Sequence, residues 1–168
     1  APGAEADQGG GAIYSDGGTT EVLGSDLVDN SATGAAGSGG GILNKGGSLV
    51  VRRSVLDGND AQRAGGGIES SAGSTEVFRT DLLGNDAGAA PGNGGGLHLT
   101  GAGTVEVLQS TVTDNTAVEG GGLWNSSGGT FTVRGTSLEG NSASGAEADQ
   151  GGGAIYSDGG TTEVLGSD

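Results

Sequence analysis

The chain has 168 residues, 41 of them glycine, and a formal net charge of −15 from six Lys or Arg against 21 Asp or Glu. That charge repels DNA, RNA and anionic membrane surfaces, and the lack of cysteine removes disulfides, thiolate metal sites and thiol nucleophiles. No apolar run reaches the roughly 18 residues of a membrane span, and the first residues lack the basic and apolar regions of a signal peptide.

Leu, Ile, Val and Phe make only 31 of the residues, which by composition alone points to disorder. Order of position outweighs it. In chain order come GGGAIYSD (9–16), GGGILNK (39–45), GGGIESS (65–71), GGGLHLT (94–100), GGGLWNS (120–126) and GGGAIYSD again (151–158). Their aliphatic landmarks are Ile13, Ile42, Ile68, Leu97, Leu123 and Ile155, spaced by 29, 26, 29, 26 and 32. A second landmark follows each of the first five in LVDNSA, LDGNDA, LLGNDA, VTDNTA and LEGNSA, with Asn30, Asn59, Asn85, Asn115 and Asn141.

From aliphatic landmark to Asn the distances are 17, 17, 17, 18 and 18, whereas from Asn to the next landmark they are 12, 9, 12, 8 and 14. Length varies in one segment, as in a solenoid where one loop leaves the stack. Within the constant part the period is two. Three before a hydroxyl column (Ser25, Ser54, Thr80, Ser110, Thr136, Ser167) stand Val22, Val51, Val77, Val107, Val133 and Val164. Two after it stand Leu27, Leu56, Leu82, Val112 and Leu138, and Glu21, Glu76, Glu106 and Glu163 alternate with the valines. Valine in and glutamate out predicts a half-buried strand.

Short strands near GGG(A)I, near TEVL and around S-x-L leave no room for a crossover helix. They predict an all-β fold, a parallel β-helix of about six coils of 26–32 residues, each strand pairing with its equivalent at about 4.8 Å. The crossover rule favours a right-handed coil. The Val column forms a core ladder, and the Asn column a structural ladder at a corner.

The paired motifs resemble the GGA(I/L/V) and FxxN repeats of chlamydial polymorphic outer membrane proteins and related right-handed β-helix surface proteins. Gly10-Gly11-Ala12-Ile13 and Gly152-Gly153-Ala154-Ile155 match the first motif, and the remaining coils carry GGGI or GGGL. The Asn of the second motif is present in all five complete coils, with Leu or Val in place of Phe. The resemblance implies a bacterial cell-surface or extracellular protein serving adhesion, scaffolding or display.

Gly3 to Asp26 recurs letter for letter at Gly145 to Asp168, an offset of 142 residues or five coils. Residues 1–168 are thus expected to be a single β-helix segment, a window on a longer array of 142-residue units. Its own next unit, end to end, is the expected partner.

Two outward columns are candidate contact surfaces. Tyr14, Leu43, Glu69, His98, Trp124 and Tyr156 offer either an aromatic platform for glycans or a lateral packing face. Leu23, Arg52, Phe78, Leu108, Arg134 and Leu165 form a part-apolar stripe that either packs on a neighbouring filament or lies under a folded loop. Leu23, Phe78, Leu108, Tyr14 and Trp124 are the possible contact stripe. The single histidine, His98, reads by default as a surface residue. Calcium is suggested only by scattered acids such as Asp16, Asp29, Asp57 and Asp114, without the nine-residue motif of calcium β-rolls, so no cofactor is expected. The glycine blocks lack the Lys-Ser or helix of a phosphate loop. Acids arranged as a column predict a solvated face rather than a convergent catalytic pair, and no catalysis. The expected function is an extracellular structural fibre or stalk, the alternative an adhesin binding glycans or a host surface protein through side loops or the aromatic column.

Overall fold

The computed structural model describes residues 8–88, 91–147 and 149–168. Among them every element is a strand, and every strand pairing is parallel between one coil and the next. The chain is a parallel β-solenoid with three sheets running along its axis.

The first sheet collects the strands after each glycine block and the T-E-V-L strands. Its members are Ile13–Ser15, Ile42–Lys45, Ile68–Phe78, Leu97–Leu108, Leu123–Asn125 and Ile155–Ser157, with Thr19–Leu23, Ser48–Arg52, Thr130–Arg134 and Thr161–Leu165. The second sheet holds Asp26–Val28, Val55–Asp57, Asp81–Leu83, Thr111–Thr113 and Ser137–Glu139. A third, of two-residue strands, holds Ser31–Ala32, Asp60–Ala61, Asp86–Ala87, Thr116–Ala117 and Ser142–Ala143. No strand is predicted there, because two residues carry too little alternation to register.

Register follows the motif columns. Ile13 pairs with Ile42, Ile42 with Ile68, Ile68 with Leu97, Leu97 with Leu123, and Leu123 with Ile155. A one-residue slip would turn each valine to solvent, so burial pins the register. The step from 17 to 18 residues between landmarks has a local cause. Pairing of Ile68–Phe78 with Leu97–Leu108 shifts between Thr100 and Gly103, where the fourth coil absorbs one extra residue as a bulge.

Inside, Val22, Val51, Val77, Val107 and Val133 are buried, stacked beside Leu27, Leu56, Leu82 and Val112 and beside Ile42, Ile68, Leu97 and Leu123. Each fully buried aliphatic stabilises the fold by about 1.5–3 kcal/mol. Val164 differs from the rest of its column, at 47% exposed. It lies in the sixth coil, of which the 168 residues include the first-sheet strands.

At the third corner the first glycine of each turn (Gly10, Gly39, Gly65, Gly94, Gly120, Gly152) has φ between 60° and 69°. That left-handed region favours glycine. Among the described residues, the end of the segment ahead of each of four turns stays in the stack. Ser38, Ala64, Asn93 and Glu119 form a file of parallel bridges, and Gly92 donates its amide to the Arg63 carbonyl at 3.0 Å while its own carbonyl accepts from Val118 and Glu119.

The third sheet carries one unfavourable pair. Asp60 sits in register with Asp86 of the next coil. Burial, then the Asp86 charge, push the Asp60 carboxyl above its usual range, against a hydroxyl bond from Ser31. The folded state therefore binds this proton more readily than the unfolded chain, and stability falls as pH rises from the ordinary aspartate value through the raised one. Asp60→Asn is expected to raise the melting temperature at pH 7 and to give no gain well below the ordinary aspartate pKa. A lower melting temperature at pH 7 would refute the assignment.

Candidate functional site

Two corner ladders hold the surfaces in place. At the corner between the second and third sheets, Asn30, Asn59, Asn85, Asn115 and Asn141 stack, each Nδ2 donating to the Oδ1 of the next at 2.8–2.9 Å. The same Oδ1 atoms accept the backbone N–H of the coil before, at 2.9–3.1 Å. The Nδ2 groups of Asn59, Asn85, Asn115 and Asn141 also donate to Leu27, Leu56, Leu82 and Val112 carbonyls. Asn59, Asn85 and Asn115 are fully buried, so these bonds take the place of solvent at a corner closed to it.

At the corner between the first and second sheets the hydroxyl column is a second ladder. The amides of Ser25, Ser54, Thr80, Ser110 and Thr136 donate to the hydroxyls of Ser54, Thr80, Ser110, Thr136 and Ser167 at 3.1–3.4 Å. Each hydroxyl in turn donates to the carbonyl two residues before it, as Ser110 Oγ does to Leu108 at 2.9 Å. Just ahead of this column Gly24, Arg53, Arg79, Gln109, Gly135 and Gly166 all have φ near 50–57°. The hydroxyl serves as an alignment marker in the sequence; its hydrogen-bonding role depends on the left-handed residue before it, which varies from Gly to Arg to Gln.

The aromatic column is covered, not open. Leu43, Glu69, His98 and Trp124 are 1–8% exposed, and Tyr14 at 46% is the exposed member. The turn glycines lie against it: a Cβ at Gly94 or Gly120 would meet the Cβ of His98 or Trp124. Trp124, named above as a contact residue, is therefore an internal one; its Nε1 donates to Glu119 Oε2 at 3.2 Å. Its ring packs between His98, at 4.4 Å, and Tyr156, at 5.9 Å. His98 is likewise buried rather than on the surface. Its Nδ1 lies 2.6 Å from Glu69 Oε2, and Thr100 Oγ1 donates to Glu69 Oε1 at 2.6 Å. Arg63 Nη1 approaches the same carboxylate at 3.9 Å. Arg63 and Glu119, at the ends of two side segments, reach this face beside the turn glycines, which length variation alone does not reveal.

The stripe at the hydroxyl corner is the open surface. Leu23 is 55% exposed, Arg52 and Arg134 are exposed, and Phe78 and Leu108 are half-buried. A groove of about 460 Å³ runs between Leu23, Arg52, Arg53 and Phe78, and one of about 260 Å³ continues from Phe78 past Leu108 to Arg134. Arg52 is bound to Glu76 on the neighbouring coil at 2.8 Å, and the Arg79 guanidinium caps the Phe78 ring at 5.0 Å. Beside the stripe Glu76 pairs with Glu106 in register, and Glu21 and Glu163 pair with Val50 and Thr132. Among the described residues no group of three acids or histidines is placed to hold a metal ion.

The Chlamydia polymorphic membrane protein (Chlamydia_PMP) repeat matches residues 135–158. That stretch joins the Asn141 corner to the Gly152-Gly153-Ala154-Ile155 turn, so it spans both motifs of one coil. No curated protein and no solved structure matches the chain. Repeat and fold together make this a parallel β-helix repeat protein similar to the chlamydial polymorphic membrane proteins, of the bacterial surface or outer-membrane-associated kind.

Proposed function

We propose that the chain is a segment of an extracellular structural fibre or stalk built from tandem five-coil units. One observation carries this reading: the two copies of the duplicated stretch occupy equivalent places five coils apart. Ile13–Ser15 and Thr19–Leu23 open the first coil, and Ile155–Ser157 and Thr161–Leu165, of the same sequence, open the sixth. The sixth coil thus offers a following coil the strands that the first offers to Ile42–Lys45 and Ser48–Arg52. A stack with this property extends without a new interface.

The reading includes no chemistry. The acids stand as a column along the axis, and His98, the single histidine, is enclosed with its Glu69 partner under the turn glycines. A glycan adhesin working through the aromatic column is the weaker reading, because four members of that column are covered.

Five strand spacings give an axial repeat of about 24 Å per 142-residue unit. Electron microscopy or fibre diffraction of the native protein is expected to record it. A compact globule, or a rise that does not fit five stacked coils, would end the proposal.

A further inference from the structure

The basic residues are not scattered. Of the six Lys and Arg, Arg52, Arg53, Arg79 and Arg134 all lie on the hydroxyl corner, in a chain of net charge −15. Five residues further on in each coil, across the second sheet, runs another outward column, in which Val28, Asp57 and Glu139 are exposed and Leu83 and Thr113 half-buried.

Compared coil by coil, the two columns are apolar together at the first and third levels and oppositely charged at the second and fifth, while the fourth sets Leu108 against Thr113. Leu23 and Val28, 55% and 48% exposed, belong to the first coil and are two of the four large hydrophobic side chains that stand most exposed. Arg52 and Asp57 belong to the second, Phe78 and Leu83 to the third, Leu108 and Thr113 to the fourth, Arg134 and Glu139 to the fifth. Within the chain these partners do not meet. Arg52 is paired with Glu76, Glu139 accepts from Ser137 at 3.2 Å, and Arg134 and Asp57 make no ion pair among the described residues. Since both columns climb by one strand spacing per coil, placing one against the other aligns all five levels at once.

We infer that the hydroxyl corner is a lateral docking surface for a second copy of this chain, set parallel and in axial register. The Leu23 to Arg134 column of one copy packs on the Val28 to Glu139 column of the next. Apolar side chains meet at the first and third levels, and opposite charges at the second and fifth, where Asp57 and Glu139 reach the ends of the two grooves lined by Arg52 and Arg134. Every copy carries both columns on different faces, so the contact is head-to-tail and does not close in a pair; stalks assemble into ribbons or rings. The charge pattern fixes register and rejects the antiparallel arrangement, which leaves the acids unmatched.

The inference adds side-by-side assembly to the stalk reading and rests on it for the array. Sedimentation velocity of the full chain, at low and high salt, tests it. Wild type is expected to associate at low salt and to dissociate as salt is raised. Arg52→Glu with Arg134→Glu, or Asp57→Arg with Glu139→Arg, is expected to raise the dissociation constant at least about tenfold. The four changes together restore association, because each copy then carries both swapped columns. All sites are exposed, and circular dichroism verifies that the variants keep the β signal. A wild type that stays monomeric, association indifferent to either reversal, or a quadruple variant that fails to recover would overturn the inference. So would a monomeric wild type held on a heparin column through these arginines, which would assign the corner to an anionic polysaccharide. An axial repeat of about 24 Å with no lateral assembly refutes docking alone, whereas a wrong axial repeat refutes the stalk.

Discussion

Replacing Gly66 with Ala is expected to disrupt the third corner and to cost about 3 kcal/mol or more in urea or thermal unfolding. Gly66 is the middle residue of its turn and has no special φ, so the argument is one of space. A Cβ there would lie 2.6 Å from the Asp86 carbonyl carbon and 2.5 Å from the Gly95 carbonyl oxygen. Both are backbone atoms of the adjacent coil, and Gly66 and Gly67 amides bond to that coil through Gly94 and Gly95 carbonyls. Relief would require separating coils whose spacing is fixed by three sheets. Gly67→Ala provides the contrast. The chain itself carries Ala12 and Ala154 at that place in the turn, so a loss of only about 1–2 kcal/mol is expected. Equal losses at the two positions would show that coil approach is not what demands glycine at the centre of the turn.

The contrast also shows how much of the solenoid is readable in the chain. Where a side chain faces inward once per coil, the sequence carries a column, and valine, leucine and asparagine columns are found by alignment alone. The pairing of Val77 with Val107 and of Leu82 with Val112 follows from those columns. What cannot be read is anything set by the side segments, whose length and composition change from coil to coil. Arg63 and Glu119, at the ends of these segments, reach Glu69 and Trp124 of the outward column, which is covered, and no periodicity announces it. The register of Ser38, Ala64, Asn93 and Glu119 is equally hidden, since the four residues share no chemistry. Arg53, Arg79 and Gln109 take a left-handed backbone where other coils have glycine, so the hydroxyl corner looks irregular in sequence although its geometry repeats. The open stripe, by contrast, follows directly from alternation: two residues before the hydroxyl must point outward once the valine before them points in.

Asn85→Ala is expected to destabilise the fold by about 2–4 kcal/mol, the largest effect of any single change in the asparagine column. Asn85 Oδ1 accepts the Asn59 backbone N–H at 3.0 Å and Asn59 Nδ2 at 2.8 Å. Its Nδ2 donates to the Leu56 carbonyl and to Asn115 Oδ1, both at 2.9 Å. Truncation leaves the buried Asn59 N–H with no acceptor and removes a donor from Leu56, in a corner without access to water. Position along the stack grades the effect. Asn30 is part-buried and its side chain donates only to Asn59 Oδ1, among the described residues, so Asn30→Ala should cost under about 1 kcal/mol. Asn85→Asp separates the hydrogen bonds from the loss of volume. A carboxylate keeps both acceptor bonds from Asn59 but sets a negative oxygen against the Leu56 carbonyl and Asn115 Oδ1. The variant should be strongly destabilised at pH 7 and should approach wild type as the added carboxyl is protonated, because the protonated form regains a donor. Thermal melting of the three variants across pH measures all of this. An unchanged melting temperature for Asn85→Ala, or an Asn85→Asp chain as stable as wild type at pH 7, would mean that the asparagines line the corner without holding it.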